Sequence, residues 1–523
     1  MMQEFKHIGQ LVKHNAKTIP NDIFLQFQKE KYTYLEVDRK SDQIALFLRR
    51  LGIDQGDHVA LMLKNSPDYI FIWFGLAKLG AVMIPLNIHI KGEGLEYILN
   101  HSDAKFLIFD SEFEQEILRV KPSLTNLKHF WKREDFIKSA MNTPSTEFEM
   151  PHIEKGDPMS IIYTSGTTGL PKGVILPHFS YINTGLTFKD AMTKIKKEDI
   201  LYTCLPLFHC NAQQLSVMGT LLSGAKLVLS ERFSASNFWK EIYESKATIF
   251  NYIGSMLTIL FKQPVSDYEK NNTVTRIFGG AAPKEIWEEF EKRFGLTIVE
   301  GYGLTESATV CLCNPIDQIR VGSIGKPLPH VSIKIVDEND QEVPPGVEGE
   351  IVVREEVKFT QFQGYYKMPE KTAEALKGGW FHTGDRGYQD EDGYFYFKDR
   401  IKDCIRYRGE NISSYEIERI VNKHPCVKES AAIGVPSELG EEDVKVVLML
   451  QPECDFNYEE FIRYCEQHMA YYMVPRYVEI KDHLPKTATQ RIQKYALRKE
   501  GIGASWDRVA NGVQLNREIG GKR

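Results

Sequence analysis

A short polar segment, residues 163–173, has the composition of a phosphate-binding loop. It reads Tyr-Thr-Ser-Gly-Thr-Thr-Gly-Leu-Pro-Lys-Gly. Glycines let backbone N–H groups approach an anion closely, hydroxyls add hydrogen-bond donors, and Lys172 supplies a positive charge. Apolar, β-branched residues flank the segment and predict a loop between two buried strands. The Walker ending Gly-Lys-Ser/Thr is absent, because Gly173 follows Lys172, so composition alone leaves an ordinary connector as the alternative.

Two further segments place small or polar residues directly after predicted strands. Residues 300–306 read Glu-Gly-Tyr-Gly-Leu-Thr-Glu and follow the apolar run 296–299. Residues 278–283, Phe-Gly-Gly-Ala-Ala-Pro, follow another strand-like run. Open α/β sheets bind ligands at the carboxyl ends of their strands. Both segments are therefore candidate binding loops, although a plain glycine-rich turn explains each of them equally well on its own.

Taken together, these segments resemble the signatures of a known family. Residues 163–173 match, nearly letter for letter, the phosphate loop of the adenylate-forming (AMP-binding) enzymes, and residues 300–306 closely resemble the second signature. That family includes acyl-CoA synthetases, firefly luciferase and the adenylation domains of peptide synthetases. The resemblance extends from about residue 10 to 500. It implies an α/β fold with a large N-terminal region of two α/β sheets plus a distorted β-barrel, and a small mobile C-terminal α+β lid domain.

The resemblance also implies a nucleotide site. Tyr302 would offer a flat surface to adenine, Thr305 a donor to the α-phosphate, and Glu306 an oxygen ligand to Mg²⁺. Asp385 would accept hydrogen bonds from both ribose hydroxyls, with Arg400 as a second ribose contact. The full set of residues implied to bind ATP or AMP is Thr164, Ser165, Gly166, Thr167, Thr168, Gly169, Lys172, Gly280, Ala281, Ala282, Gly301, Tyr302, Gly303, Thr305, Asp385 and Arg400.

The implied activity is that of an ATP-dependent acid:CoA ligase. The carboxylic acid becomes an acyl-adenylate with release of pyrophosphate, and coenzyme A then forms the thioester. In the family the lid rotates between these two steps. Lys402 stands at the implied hinge, and residues of the CoA tunnel would be Arg406, Gly409 and Glu410. ATP, Mg²⁺ and coenzyme A are the expected cofactors.

The chain departs from the family pattern near residue 491. The family usually has Thr/Ser-Gly-Lys-Ile there, and its lysine reaches the α-phosphate during adenylation. This chain has Ala-Thr-Gln-Arg-Ile, so Arg491 replaces that lysine. Arginine keeps the charge but is bulkier, planar and differently hydrated. Adenylation through Arg491, or through neighbouring Lys494 or Lys486, is the first interpretation, and a slowed or non-catalytic nucleotide-binding relative is the alternative.

The acid pocket is predicted near residues 206–214. The family gates this pocket with an aromatic residue or histidine, which His209 matches, and Asn211 and Gln213 give the region a polar character. Phe-His stands where amino-acid-activating relatives commonly have Phe-Asp, which argues against a peptide-synthetase module. Several segments, 206–209 among them, also resemble crotonobetaine/carnitine-CoA ligases. A small polar or charged acid is therefore one expectation; short, medium-chain and aromatic acids, and a luciferase-like oxygenase, remain open.

These residues need a scaffold, and the sequence predicts a parallel, doubly wound sheet. Helix-like and strand-like stretches alternate up to about residue 330. Among them are a helix at 41–51 capped by Ser41, and an apolar stretch at 69–86 that predicts a buried helix and strand rather than a membrane span. Antiparallel strands are expected from Val331. The expected domains are 1–398 (nucleotide and acid site), 399–502 (lid) and 503–523 (flexible tail).

Composition excludes several classes. The formal net charge is −6 over 523 residues, without a long run of like charge, which argues against a nucleic-acid partner. The N-terminal sequence lacks the features of a signal peptide. The eight cysteines show no CxxC pair and predict free thiols in a reducing cytoplasm. The resemblance implies a small carboxylic acid as the partner. No integral membrane segment and no dedicated protein partner are expected, and a homodimer stays open.

Overall fold

The computed structural model describes residues 5–144, 146–164, 170–400, 404–452, 454–486 and 492–515; for Asp399, Arg400 and Cys404 only the backbone is described. Within these ranges the chain forms a large N-terminal α/β region and a smaller C-terminal α+β region. The predicted fold class is confirmed.

The strands are, in chain order, β1 Ile23–Phe27, β2 Glu30–Thr33, β3 His58–Met62, β4 Val82–Pro85, β5 Phe106–Phe109, β6 His129–Lys132, β7 Pro158–Thr164, β8 Lys172–Pro177, β9 Ile200–Thr203, β10 Lys226–Leu229, β11 Ile249–Ile253, β12 Arg276–Gly280, β13 Thr297–Tyr302, β14 Leu312–Cys313, β15 Lys326–Pro327, β16 Val331–Val336, β17 Gly349–Glu355, β18 Phe381–Gln389, β19 Phe395–Arg400, β20 Cys404–Tyr407, β21 Glu410–Ser413, β22 Val427–Pro436, β23 Glu442–Leu450, β24 Tyr477–Ile480 and β25 Trp506–Asp507.

The α-helices are α1 Ile8–Thr18, α2 Tyr34–Arg50, α3 Pro67–Leu79, α4 Gly92–His101, α5 Glu114–Val120, α6 Arg133–Met141, α7 His178–Thr187, α8 Met218–Ser223, α9 Phe238–Ser245, α10 Gly254–Phe261, α11 Asp267–Lys270, α12 Trp287–Phe294, α13 Pro369–Ala375, α14 Ser414–Val421, α15 Tyr458–His468 and α16 Lys494–Glu500. Two π-helical turns, Phe188–Met192 and Asn211–Val217, follow α7 and precede α8.

Two mainly parallel sheets form the N-terminal region. One has the strand order β6-β5-β3-β4-β7-β8, and the other has β15-β14-β13-β12-β11-β9-β10-β1-β2. Buried side chains of both sheets and of the helices between them join in one large hydrophobic core. The candidate loops follow β7, β12 and β13, so they lie at the carboxyl ends of parallel strands, where ligands bind in such folds.

Local signals explain most helix boundaries, and one predicted boundary is wrong. α3 begins after Ser66, whose hydroxyl accepts from the N–H of Tyr69, and ends at Gly80 with a φ of 74°. α2 was predicted to begin at Ser41, but it begins after Thr33. Thr33 and Glu36 form a reciprocal capping box there, while Ser41 is buried within the helix.

The antiparallel region predicted from Val331 forms a sheet of order β16-β17-β18-β19. The small domain contains the hairpin β20-β21 and the sheet β22-β23-β24-β25. Its helices α14 and α15 bury Ile417 and Phe461 in a separate core. A second core gives the region its own source of stability.

Two expectations about the C-terminal part are wrong. The sequence assigns residues 503–523 to a flexible tail, but in the described part of this segment, up to residue 515, Trp506 pairs with Val478 in the sheet and Val513 is buried. Free thiols were expected throughout, but Cys426 and Cys454 form a disulfide, with their Cα atoms 5.6 Å apart. The two cysteines are 28 residues apart without a motif, so only the fold brings them together.

No helix in the described ranges combines the length and apolar character needed to cross a membrane. The apolar stretch from residue 69 forms α3 and β4, as predicted.

A buried histidine pair predicts loss of stability in acid. Both ring nitrogens of His178 lack a partner among the described residues, and its ring lies 5.7 Å from that of His7. Burial lowers the pKa of His178 to about 3 and that of His7 to about 4. Because the unfolded chain binds protons below about pH 6.5 while the folded rings stay neutral, stability falls as the pH drops below that value.

We therefore expect His178→Phe to reduce this pH dependence. Urea unfolding at pH 7 and pH 5 would show a drop in unfolding free energy that is about 2 kcal/mol smaller in the variant than in the wild type. Equal drops in both proteins would contradict this assignment.

Candidate active site

The candidate phosphate loop joins β7 to β8, as predicted. Thr164 ends β7, Lys172 begins β8, and the two residues pair across the antiparallel ladder. Ser165, Gly166, Thr167, Thr168 and Gly169 lie outside the described residues. The ends of the loop are therefore fixed by the sheet at the carboxyl end of β7.

Lys172 and Glu306 meet at one aromatic side chain. The Lys172 Nζ lies 4.1 Å from the ring centroid of Tyr365, and the Tyr365 hydroxyl donates to Glu306 Oε1 at 2.9 Å. Glu306 is only 7% exposed. Sequence reasoning missed Tyr365, which belongs to no signature; the only hint was its place in the aromatic pair 365–366 after Gly364. The tyrosine thus sets the orientation of the candidate metal ligand.

This geometry fits a magnesium ion held together with phosphates. Mg²⁺ is usually bound through one or two carboxylates plus phosphate oxygens and water. Glu306 supplies one such carboxylate, next to Thr305. Among the described residues no group of three or more His, Cys, Asp or Glu side chains could hold a metal ion by itself.

Tyr302 and Asp385, which the sequence placed around a nucleoside, lie in contact. Tyr302 ends β13, and its hydroxyl donates to Asp385 Oδ2 at 2.7 Å. Asp385 is 1% exposed, and its backbone pairs with that of Arg400 across β18 and β19. The side chain of Arg400 is not described. Burial, followed by the charge of Asp385, raises the pKa of Tyr302, so this hydroxyl stays a donor.

The turn 280–282 is held in an unusual conformation. Ala281 has a φ of 61°, and a β-carbon on Gly254 would lie 1.8 Å from the Ala281 carbonyl oxygen. Glu300 accepts from the N–H of Ala282 at 3.0 Å, and burial raises the pKa of Glu300 to about 8. Strained backbone of this kind clusters at functional sites.

Close backbone approach also surrounds Gly301 and Gly303. A β-carbon on Gly301 would lie 2.7 Å from the Phe278 ring, and one on Gly303 would lie 2.2 Å from the Thr309 carbonyl oxygen. The 300–306 segment therefore packs in this way only because both positions are glycine.

The three residues predicted for the acid pocket have different surroundings. His209 is half-buried. Asn211 accepts a hydrogen bond from Asn251 at 2.9 Å. Gln213 is fully buried: its Oε1 accepts from Tyr181 at 2.8 Å and its Nε2 donates to Leu207 O at 2.6 Å. Gln213 therefore stabilises the turn that carries His209. Because both ends of its amide are bonded to protein, this geometry does not favour direct contact between Gln213 and an acid.

The hairpin β20-β21 of the small domain lies against this region. Glu410 Oε1 is 2.9 Å from His209 Nε2 and 3.3 Å from Asn87 Nδ2. Burial raises the pKa of Glu410, but the charge and hydrogen bond of His209 outweigh it and hold that pKa below its usual range. A carboxylate is thus present at the junction of the two domains.

Gly409 lies at the same junction. Its φ is 87°, and an added β-carbon would be 2.9 Å from Ile253 Cδ1 at the end of β11. Its N–H donates to Glu441 at 2.9 Å, and Arg406 donates to Asn411 at 2.7 Å. The three predicted tunnel residues thus belong to one hairpin, and Gly409 and Glu410 contact the N-terminal region.

Two predicted positions, Lys402 and Arg491, lie outside the described residues. Lys494, the alternative cation, lies 2.7 Å from Glu418 and 2.6 Å from Ser414 within the small domain. Lys486 is paired with Glu429 at 2.8 Å. Both lysines are therefore engaged by their own domain in this arrangement.

Two family models match the chain. The one described as AMP-binding enzyme matches residues 12–366, and the one described as AMP-binding enzyme C-terminal domain matches residues 416–491. A crotonobetaine/carnitine–CoA ligase from Proteus mirabilis (strain HI4320) is 36% identical over 509 residues, which cover 94% of this chain and 98% of the relative. One from Escherichia coli O157:H7 is 33% identical over 476 residues, 88% of this chain and 92% of the relative.

Solved structures share the fold and differ in how well they superpose. A double mutant of o-succinylbenzoate CoA synthetase from Bacillus subtilis, bound with the product analogue OSB-NCoA, has a TM-score of 0.84 at 25% identity, covering 94% of this chain and 98% of that chain. The same synthetase in complex with its acyl-adenylate intermediate has a TM-score of 0.69 at 25% identity, covering 93% and 97%. The whole chain thus superposes better on the structure with the product analogue than on the one with the acyl-adenylate.

Proposed function

The chain belongs to the AMP-binding enzyme family, and from this premise we propose that it is an ATP-dependent acid:CoA ligase. It activates a carboxylic acid as acyl-AMP with release of pyrophosphate and then transfers the acyl group to the thiol of coenzyme A. The observation that carries this proposal is the contact of the Gly409–Glu410 hairpin with His209 and Ile253. A protein that only bound nucleotide would not need a second domain placed at the predicted acid site.

In the first step a carboxylate oxygen of the acid attacks the α-phosphorus of ATP, and the bond to pyrophosphate breaks. Both reactants are negatively charged, so positive charge and donors must surround them. Lys172 and Thr305 are the proposed donors to the phosphates. Tyr365 holds the Glu306 carboxylate, which would bind a magnesium ion; the ion, when bound, would offset the charge of the phosphates.

In the second step the thiol sulfur of coenzyme A attacks the acyl carbon, AMP leaves, and the thiol proton is lost. The hairpin β20-β21 would form one wall of the path of the thiol. Gly409 lets the hairpin pack against Ile253, because an added β-carbon would lie 2.9 Å from Ile253 Cδ1, and Glu410 holds His209 by the contact at 2.9 Å. His209 would thereby be held to one side while the thiol enters.

We propose a small acid with polar or charged groups as the substrate, of the class named for the Proteus and Escherichia relatives. The pair of Asn211 and Asn251 supports this, because amide groups near an acyl site disfavour a long bare hydrocarbon. We also propose that the enzyme acts in the cytoplasm, where ATP and coenzyme A are supplied, and that it needs no dedicated protein partner.

Pyrophosphate release with ATP and Mg²⁺ tests the proposal. The panel of acids would run from crotonobetaine and carnitine through short, medium-chain and aromatic acids, each with and without coenzyme A. Release with one class, together with the matching acyl-CoA, is the expected result. Bound ATP without release across the whole panel would favour the alternative, a nucleotide-binding relative that no longer turns over.

Substitution of Arg491 distinguishes an active ligase from a nucleotide-binding relative that no longer turns over. Because Lys494 and Lys486 are bound to carboxylates of their own domain, we propose that Arg491 supplies the cation for adenylation. Arg491→Ala is expected to lower acyl-adenylate formation roughly 10²-fold, since charge stabilisation of the transition state is lost. Arg491→Lys is expected to lower it less than about tenfold.

The measurement is pyrophosphate release in single turnovers. Conversion of supplied acyl-adenylate to acyl-CoA is the control, and it should stay near the wild-type rate in both variants. An Arg491→Ala protein with full adenylation would transfer the role to Lys494 or Lys486.

A further inference from the structure

A π-helical turn carries the residues after His209. The turn Asn211–Val217 replaces the regular α-helical pattern directly before α8. Such turns are rare and are frequently found at functional sites, because the extra residue per turn changes the direction of a side chain. Gln214 lies in the middle of this turn and has no role in the steps derived above.

The segment opposite Gln214 is strained. Ala308 and Thr309 have φ values of 49° and 76°, and a positive φ is a clear outlier for a β-branched residue. The Ala308 carbonyl oxygen accepts from Thr184 at 3.0 Å, and Gly303 packs against the Thr309 carbonyl. The strain directs the Thr309 hydroxyl to Gln214, where it donates to Oε1 at 2.5 Å. Strain is kept where the conformation serves a function.

The hydrogen bond from Thr309 leaves the other end of the Gln214 amide without a partner. Gln214 is 0% exposed, and its Nε2 has no hydrogen-bond partner among the described residues. Neighbouring Gln213 is equally buried, but both ends of its amide are bonded to protein. A buried donor left unpaired is costly, so its retention needs a reason.

Gln214 also lies close to the reacting groups. Thr309, its partner, is only three residues beyond Glu306. Burial raises the pKa of the Cys210 thiol, one turn before Gln214, and the neighbouring hydroxyls of Thr309 and Thr305 offset part of that rise. The unpaired donor is therefore near the place where acid and α-phosphate must meet.

Resting on the ligase function proposed above, we propose that the Gln214 amide N–H donates a hydrogen bond to an acceptor oxygen on the chain of the acid. Gln214 would thus be a specificity-determining residue for acids that bear a hydroxyl or carbonyl oxygen besides the carboxylate. An acid without that oxygen would leave the buried donor unpaired in the complex and would be rejected for that reason.

Matched pairs of acids test this assignment. Butyrate and 3-hydroxybutyrate, together with further pairs of two to six carbons, differ only in the acceptor oxygen. We expect wild-type kcat/KM to be at least tenfold higher for the preferred oxygen-bearing acid than for its partner. Gln214→Leu, which keeps the volume but removes the donor, is expected to bring that ratio close to one.

Gln213→Leu is the matched control, because it removes a buried amide whose ends are both bonded to protein. It should lower the melting temperature while the ratio between the two acids stays as in the wild type. Three outcomes would overturn the assignment of Gln214 but leave the proposed ligase function standing. They are equal kcat/KM for both acids in the wild type, a preference for an amine-bearing acid, and an unchanged ratio in Gln214→Leu. Absence of pyrophosphate release with every acid would instead overturn the proposed function and the assignment with it.

Discussion

Replacement of Gly409 by leucine is expected to stop thioester formation while acyl-adenylate formation continues. A β-carbon at this position would lie 2.9 Å from Ile253 Cδ1, and the φ of 87° strains any side chain. The leucine would therefore push the hairpin away from the end of β11. Because misplacement by about 1 Å can cost 10²-fold in rate, we expect thioester formation to fall roughly 10²–10³-fold.

The two steps are measured separately. Pyrophosphate release without coenzyme A reports adenylation and should stay within about threefold of the wild type, because the hairpin acts only in the second step as proposed. Conversion of supplied acyl-adenylate by coenzyme A reports the thioester step. Gly512→Leu is the control for backbone strain alone, since Gly512 has a φ of 74° but no atom near its missing β-carbon. If Gly409→Leu reduced both steps equally, the hairpin would not be specific to the thioester step.

The sequence predicted those parts of the fold that local patterns determine. Helix α15, Tyr458–His468, follows such patterns, because Asn457 caps it and its apolar residues recur at helical spacing. For α2 the sequence predicts a start at Ser41, but the helix begins after Thr33, because Thr33 and Glu36 form the stronger capping box. The position of a helix boundary thus depends on which of two local capping signals is the stronger.

Contacts between distant segments could be predicted from the sequence only where a family signature implied them. The signatures placed Tyr302 and Asp385 around one nucleoside, and the structure brings them together. Tyr365 and Gln214 belong to no signature, and their roles depend on partners at Glu306 and Thr309 that only the folded chain brings near. The pairing of Cys426 with Cys454 is hidden from sequence for the same reason.

Glu306→Gln is expected to abolish most of the adenylation activity. The carboxylate is 7% exposed and accepts from Tyr365 at 2.9 Å, and glutamine keeps the shape and an acceptor but loses the charge. The rate of acyl-adenylate formation is expected to fall roughly 10²–10³-fold, or about 3–4 kcal/mol of transition-state stabilisation. The Mg²⁺ concentration needed for half-maximal pyrophosphate release is expected to rise, because a hard oxygen ligand is lost.

Tyr365→Phe separates the charge of Glu306 from its orientation. This variant keeps the carboxylate but removes the hydrogen bond that holds it, so adenylation should fall by about tenfold or less, as for the loss of one hydrogen bond of about 1–1.5 kcal/mol. Its Mg²⁺ dependence should change less than that of Glu306→Gln. If Glu306→Gln released pyrophosphate at the wild-type rate with unchanged Mg²⁺ dependence, Glu306 would not be the metal ligand, and its bond to Tyr365 would then serve the packing of the 300–306 segment alone.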